Sequence, residues 1–379
     1  MIRPQASQRR QSARCSHFGQ ELHDEFVERF EEQSDLLKFR RRAEVIDDLL
    51  SAFGPEMVRR FENTQLVIFK PDAVCSHKAL EIAEFMNLHG CSFLECWPVF
   101  SFSEHQYEEL YRYNIDLDHK SPMVGKIWSL RSQFVGNPCI VCLVTVDADT
   151  TATSIFNLTK LLKGNSTPYF ASPGQIRYVF NGSSKALNLV HMSDDPFSTL
   201  REIKALLGPD CFEIQSLRAS PERNRATLDA IAAFTTSLGP KSTDSDFCAT
   251  LVRMLHKLSY AFGPGERHLA QRLQALKIPD VRDGPRRRLR DLNDNFKHLL
   301  GELGAQHGSD GPTQQSDLIL KSAVLSVLDV PSWTVYSVKH SIASMRSFDI
   351  PVSAWEEEIV ISNAVFHEAI LEALDHRDD

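Results

Sequence analysis

The sequence predicts an α/β (α+β) domain followed by a mostly helical C-terminal region. Two observations support this prediction. Between residues 64 and 207, apolar runs of strand length alternate with segments of helical periodicity. After Gly208, strand patterns nearly vanish and helical patterns dominate. With 379 residues the chain exceeds the roughly 100–200 of one ordinary domain, so more than one compact domain is expected.

The elements of residues 64–207 follow a recognisable order. The first strand, 65–69, ends at the turn signal Lys70-Pro71-Asp72. After it, a helix is predicted at 79–88, a strand at 92–100, a helix at 104–113, a strand at 139–146, a helix near 151–162, a short strand at 188–191 and a helix at 197–207. Apart from the helix at 104–113, this is the order of a ferredoxin-like split βαβ domain.

The flanking regions have other patterns. Residues 1–20 are arginine-rich and lack acids, which favours a disordered basic tail. Residues 21–60 are predicted to form an amphipathic helical segment, and residues 208–379 a helical region of unknown role. The C-terminal helical patterns lie at 222–236, 246–262, 266–276, 286–303, 316–328, 334–346 and 354–375.

Charge and cysteine content restrict the function classes. A net charge of −8 gives no broad attraction to nucleic acid. The eight cysteines lack the density of a secreted disulfide framework, and no stretch approaches the roughly 18 apolar residues of a membrane span. We therefore expect a soluble, cytoplasmic protein without nucleic-acid or membrane partners. The cluster Arg286-Arg287-Arg288-Leu-Arg290 is interpreted as a solvated helix start, with an acidic partner as the alternative.

Three motifs within 64–207 could carry chemistry. Lys70-Pro-Asp places a lysine at the rim of the predicted sheet, where phosphates are often held. The loop Gly164-Asn-Ser-Thr-Pro, continued by Ser172-Pro-Gly-Gln-Ile-Arg177, offers hydroxyls, amides and a guanidinium suited to phosphate oxygens. In Asn188-Leu-Val-His191, the histidine leaves a short strand, and Glu202 on the next helix could orient its ring.

Together, in this order and spacing, the motifs resemble the nucleoside diphosphate kinase family. The resemblance implies that His191 takes the γ-phosphate of a nucleoside triphosphate and passes it to a diphosphate, with Glu202 holding the ring. Mg²⁺ would arrive with the nucleotide, and no dedicated metal site is expected. The nucleotide- and phosphate-binding residues would be Lys70, Tyr111, Lys160, Ser166, Arg177 and Asn188.

The chain departs from the family pattern at three positions. Lys160 stands where the family carries arginine, so the bidentate fork is lost. Pro122 falls where an aromatic residue stacks on the base. Met192 replaces a glycine after the histidine, and we expect its side chain to crowd the phosphate beside His191.

The sequence leaves two hypotheses of function open. The first is a nucleoside diphosphate kinase-like phosphotransferase. The second is a catalytically weakened scaffold or interaction protein, because the chain resembles the multidomain members of cilia and flagella, with protein partners at the helical C-terminal region. The arginine-rich N-terminus leaves a mitochondrial location as an alternative to the cytoplasm or cilium.

Overall fold

The computed structural model describes residues 49, 53, 61–116, 131–146, 154–208, 218–239, 244–305 and 315–375. The predicted tail at 1–20, nearly all of the predicted segment 21–60, and Pro122 lie outside these residues. The chain divides into two compact units. The first unit comprises Met1–Phe69, Ala83–Leu161 and Val190–Phe234, and the second comprises Lys70–Ile82, Leu162–Leu189 and Thr235–Asp379. This division cuts across the predicted domain 64–207.

A four-stranded antiparallel sheet forms the centre of the first unit. Its strands lie in the order β2-β3-β1-β4, and their bounds are β1 Thr64–Phe69, β2 Cys91–Val99, β3 Cys139–Val146 and β4 Val190–Met192. β3 and β4 pair with the two edges of β1, so β1 is a central strand. Its residues from Gln65 to Phe69 are buried. The predicted split βαβ order is therefore confirmed.

Helices α1 to α7 accompany this sheet in the sequence. Their bounds are α1 Pro71–Cys75, α2 Ala79–Leu88, α3 Glu104–Asp116, α4 Arg131–Phe134, α5 Ile155–Lys163, α6 Ile176–Val179 and α7 Pro196–Leu207. In the first unit, Tyr107 of α3 and Leu200 of α7 join one buried cluster with Leu66 and Ile68 of β1. α3 and α7 thus cover one face of the sheet.

The start of α7 fixes the chain directly after β4. The Asp195 carboxylate accepts hydrogen bonds from the backbone N–H groups of Phe197 and Ser198, at 2.9 Å each. Pro196 occupies the first turn, where its missing N–H costs nothing. The Asp195 cap and Pro196 thus determine where the first turns of α7 lie relative to His191.

The C-terminal region is helical, as predicted. Its helices are α8 Pro221–Ser237, α9 Phe247–Ser259, α10 Arg267–Gln274, α11 Gly284–Ala305, α12 Gln315–Leu328, α13 Val335–Ser347, α14 Ala354–Val365 and α15 His367–Asp375. In the second unit, Leu251, Phe296 and Val324 lie in one buried cluster, which also includes Tyr169 and Leu187 from the loop before β4. That loop is therefore packed into the helical core.

One helix prediction was wrong in length. The pattern at 354–375 predicts a single helix, but the structure has two, separated at Phe366. The apolar periodicity continues across the break, so the pattern cannot reveal it. His367 at the start of α15 contacts the carbonyl of Val330 through Nε2 at 2.9 Å, which ties the new helix start to another part of the helical core.

The described residues include no helix long and apolar enough to cross a membrane. The six cysteines within the described ranges are free thiols.

We predict that the loop before β4 contributes to the stability of the helical core. Leu187 is fully buried, so Leu187→Ala should lower the free energy of unfolding by about 2–5 kcal/mol in urea denaturation. Leu161→Ala is the control, because Leu161 is 69% exposed and its loss should change stability by no more than about 0.5 kcal/mol. Equal effects of the two substitutions would contradict the packing of Leu187.

Candidate active site

His191 lies on the short edge strand β4, opposite Ile68 of β1. Residues directly opposite in an antiparallel pair project to the same face of the sheet. His191 therefore projects to the face that α3 and α7 cover, where Ile68 is buried. Its side chain is 22% exposed, so part of the imidazole is accessible.

The carboxylate of Glu202 holds the imidazole from α7. His191 Nε2 lies 2.9 Å from Glu202 Oε2. The same oxygen accepts a hydrogen bond from Ser193 Oγ at 2.7 Å, and Oε1 lies 3.1 Å from Arg201 Nη2. Each carboxylate oxygen thus has a partner, and Glu202 is buried.

These partners keep the Glu202 carboxyl in its charged form. Burial alone would raise the pKa of Glu202, but the neighbouring His191, Arg201 and Ser193 outweigh burial and hold the pKa below its ordinary value. A charged carboxylate can only accept hydrogen bonds. Nε2 of His191 must therefore donate, which leaves Nδ1 of a neutral ring unprotonated and able to act as a nucleophile.

Arg201 and Tyr111 connect this group to α3. The Arg201 guanidinium donates to the backbone carbonyl of Glu109 and approaches that of Leu110 at 3.5 Å. The ring of Tyr111 lies 6.1 Å from the His191 ring, centroid to centroid, at an interplanar angle of 65°. The first unit thus brings together three of the predicted site residues, His191, Glu202 and Tyr111.

The expectation that Met192 crowds the phosphate is wrong. Met192 pairs with Val67, one register position from His191, so its side chain projects to the opposite face of the sheet. It is 2% exposed and therefore belongs to the interior. Its φ is not positive, so the backbone there does not require glycine.

Lys70 and Asn188 form a second polar group within the second unit. Lys70 Nζ donates to Asn188 Oδ1 at 3.0 Å and to the backbone carbonyl of Ala186. The Asn188 amide donates to the carbonyls of Ser166 and Lys185, at 2.9 Å each. Both side chains are buried, so their hydrogen bonds fix the loop before β4.

Arg177 belongs to the same group. Its guanidinium donates to the carbonyl of Gly164 at 2.8 Å and to that of Asn188 at 3.3 Å. Ser166 is exposed and contributes its carbonyl to Asn188. The second unit thus brings together four of the other five predicted phosphate- and nucleotide-binding residues: Lys70, Ser166, Arg177 and Asn188.

Asp72 fixes an unusual backbone conformation before β4. Leu189 has a φ of 76°, which non-glycine residues rarely adopt. Its N–H donates to Asp72 Oδ2 at 2.8 Å, and its carbonyl accepts from the N–H of Lys70 at 2.9 Å. Burial raises the pKa of Asp72, which the nearby Lys70 partly offsets. The carboxyl of the Lys-Pro-Asp motif is therefore a structural support for this loop.

Lys160, the remaining predicted residue, lies exposed on α5, and none of the described contacts joins it to His191. Within the described ranges, no three His, Cys, Asp or Glu side chains are grouped as metal ligands.

Ser193 and Arg201 were not predicted as site residues. Ser193 follows His191 by two residues, and side chains two apart along a strand share a face. That spacing could have indicated its contact with Glu202. Arg201 precedes Glu202 directly, but its position against the α3 carbonyls depends on tertiary packing.

A split βαβ sheet with a histidine on its edge strand, held by a buried glutamate on the next helix, defines an α+β domain with a candidate nucleophile. Residues 62–212 match a family model described as nucleoside diphosphate kinase. The resemblance inferred from the motifs is thereby confirmed for this domain, and it supports a nucleoside diphosphate kinase-like function.

Three solved structures show how far the similarity extends, and each covers 38% of this chain. The nucleoside diphosphate kinase of Encephalitozoon cuniculi is 20% identical, with 89% of that chain covered and a TM-score of 0.31. That of Aquifex aeolicus is 20% identical, with 93% covered and a TM-score of 0.31. An NDP kinase of Pyrobaculum aerophilum is 22% identical, with 94% covered and a TM-score of 0.32. No curated protein sequence matches the chain significantly.

The position of Met192 gives a testable consequence. Met192→Ala should lower the free energy of unfolding by about 2–5 kcal/mol, because it leaves a cavity in the interior, and should not increase phosphate transfer. Met192→Leu is the control, since a swap of similar volume costs less than about 1.5 kcal/mol. Both are measured by urea denaturation and by kcat/KM. A rise in kcat/KM for the folded alanine variant would restore the crowding hypothesis.

Proposed function

We propose that this chain transfers the γ-phosphate of a nucleoside triphosphate to a nucleoside diphosphate through a phosphohistidine at His191. The observation that carries the proposal is the 2.9 Å contact of His191 Nε2 with the buried Glu202 carboxylate. This contact assigns the ring proton to Nε2 and leaves the Nδ1 lone pair for attack on phosphorus.

The reaction proceeds in two displacements. In the first, Nδ1 of His191 forms a bond to the γ-phosphorus, the bond from that phosphorus to the bridging oxygen breaks, and the nucleoside diphosphate leaves. The imidazolium formed is stabilised by Glu202. In the second, a terminal oxygen of another nucleoside diphosphate attacks the phosphorus and the phosphorus–nitrogen bond breaks. This is a ping-pong cycle that returns the neutral ring.

The other predicted residues take the roles that the resemblance gives them. Lys70, Ser166 and Arg177 bind phosphates or sugar, Asn188 binds the ribose, and Tyr111 sits beside the transferred group. Lys160 supplies positive charge, but its ammonium group cannot donate the two parallel hydrogen bonds of an arginine guanidinium. Mg²⁺ enters as part of the nucleotide substrate and neutralises its phosphate charge.

The alternative is a domain that binds nucleotide or protein without turnover. It is favoured by the internal hydrogen bonds of Lys70 and Asn188, which hold both side chains to the protein itself. In that case, the helical C-terminal region supplies the protein contacts, and the location is the cytoplasm or the cilium. Phosphate transfer to His191 distinguishes the two functions.

The test is labelling of the purified full chain with γ-³²P-ATP and Mg²⁺. Wild-type protein should take up acid-labile, alkali-stable label and release it to added nucleoside diphosphate. His191→Ala should take up none, because the nucleophile is lost. Glu202→Gln should slow uptake by about tenfold or more, equivalent to roughly 1.4 kcal/mol, because the amide no longer stabilises the imidazolium.

The matched control is His105→Ala, since His105 is an exposed histidine of the same unit. It should be labelled as the wild type is. Equal labelling of His191→Ala and wild type would reject His191 as the nucleophile, and nucleotide binding without any labelling of the wild type would favour the non-catalytic alternative.

A further inference from the structure

The basic cluster at 286–290 does not form a single solvated face. Arg288 is 2% exposed and forms an ion pair with the buried carboxylate of Asp246, so it belongs to the interior. Arg286, Arg287 and Arg290 instead line a cavity of about 330 Å³ within the second unit. The structure therefore separates one structural arginine from three that share a cavity.

The other lining residues come mainly from the chain around α6. They are Tyr169, Phe170, Ala171, Ser172 and Pro173 before this helix and Tyr178 within it, together with Asp283 just before α11. The loop offers aromatic surface, and the helix offers cationic side chains. A volume near 300 Å³ lies at the lower end of the range of small-molecule sites.

Both walls are held in place. On the helix side, Leu289 and Leu292 lie in the helical core beside the Arg288–Asp246 ion pair. On the loop side, the Tyr169 hydroxyl donates to Asn363 Oδ1 at 2.7 Å, and its ring belongs to the same core. The cavity is thus built by fixed elements and not by surface side chains alone.

The residues that line the cavity favour an anionic ligand. Three arginines and one aspartate give the lining a net charge of about +2 at neutral pH. Arg286 and Arg290 are four residues apart on one helix, and like charges at this spacing repel each other. Arg287 lies 3.6 Å from Asp283 and 3.9 Å from Asp291, so the protein itself offsets part of its charge. Positive charge still predominates among the residues that line the cavity, which favours an anionic ligand.

We propose that this cavity binds a phosphate-bearing small molecule, with its phosphate on the guanidinium groups of Arg287 and Arg290. Arginine forks match phosphate oxygens bidentately, and a phosphate ester carries about −1.5 to −2 charges at pH 7. Arg286 is oriented over the Phe170 ring, 5.8 Å from its centroid, and closes the cavity beside the aromatic wall. The ring or carbon body of the ligand packs on that wall. None of the lining residues belongs to the His191 group, and the proposal does not depend on the proposed phosphotransfer.

The test is titration calorimetry of the full chain with two probes, inorganic pyrophosphate and adenosine monophosphate. Wild-type protein should bind both, and binding of the monophosphate alone would identify a nucleotide and not free polyphosphate as the source of the phosphate. Arg287→Gln and Arg290→Gln should each raise Kd by about tenfold, because each removes a charged hydrogen-bonding partner of phosphate.

Arg282→Gln is the matched control, because this substitution removes the same charge from the same region. The Arg282 side chain is 86% exposed and does not line the cavity. Its Kd should equal that of the wild type. Thermal melts show whether each variant is folded. If Arg290→Gln unfolds, the test relies on Arg287→Gln, because the Arg287 side chain is 65% exposed and its loss should not unfold the protein.

Three results would overturn the proposal. They are equal affinity of the Arg287, Arg290 and Arg282 variants, no binding of either probe at millimolar concentration, and binding of an acidic peptide in place of both probes. His191 labelling is measured on the same preparations, so failure of the anion site and failure of phosphotransfer give different results.

Discussion

The buried carboxylate of Glu202 is the constraint on which the chemistry of the first unit depends. A desolvated carboxylate is costly unless its oxygens are hydrogen-bonded. Here Oε2 accepts from His191 and Ser193, and Oε1 accepts from Arg201. The same hydrogen bonds that keep the carboxylate charged also fix which ring nitrogen of His191 carries the proton. The burial of this carboxylate and the proposed role of His191 therefore depend on the same hydrogen bonds.

The position of that carboxylate follows from local rules of the chain. β4 pairs with β1 over only three residues, which sets the face of His191. Asp195 then caps α7, and Pro196 starts it in the helical conformation. Glu202 lies eleven positions after His191, and the chain between them contains a strand end, a capped turn and about two helical turns. Asp72 and the left-handed Leu189 fix the chain on the other side of β4, within the second unit.

The sequence predicted the regular elements well because their signals are local. The helix at 79–88 and the strand at 139–146 have the predicted bounds, and His191 and Glu202 contact each other as expected from the motif. The face of Met192 was missed because the predicted strand at 188–191 ended at His191, whereas β4 spans Val190–Met192. Once Met192 belongs to the strand, it must project to the face opposite to that of His191.

Contacts between distant parts of the chain could also not be predicted from the sequence. Tyr169 and Leu187 lie in the predicted kinase-like domain, yet both are buried among C-terminal helices of the second unit. The sequence presents the arginines at 286–290 as one basic cluster. In the structure, Arg288 is buried in an ion pair with Asp246, whereas the other three arginines line a cavity. Which side chains become buried depends on which helix faces pack against each other. The apolar periodicity of a single sequence does not contain this information.

The most direct test of the account is the identity of the phosphorylated nitrogen. Full-length protein labelled with ¹⁵N-histidine is reacted with ATP and Mg²⁺, and the phosphorus–nitrogen coupling is read by NMR. Because Glu202 contacts Nε2, we predict that the phosphorus is bonded to Nδ1 of His191. Phosphorus bonded to Nε2, or a chain that binds ATP and forms no phosphohistidine, would contradict it.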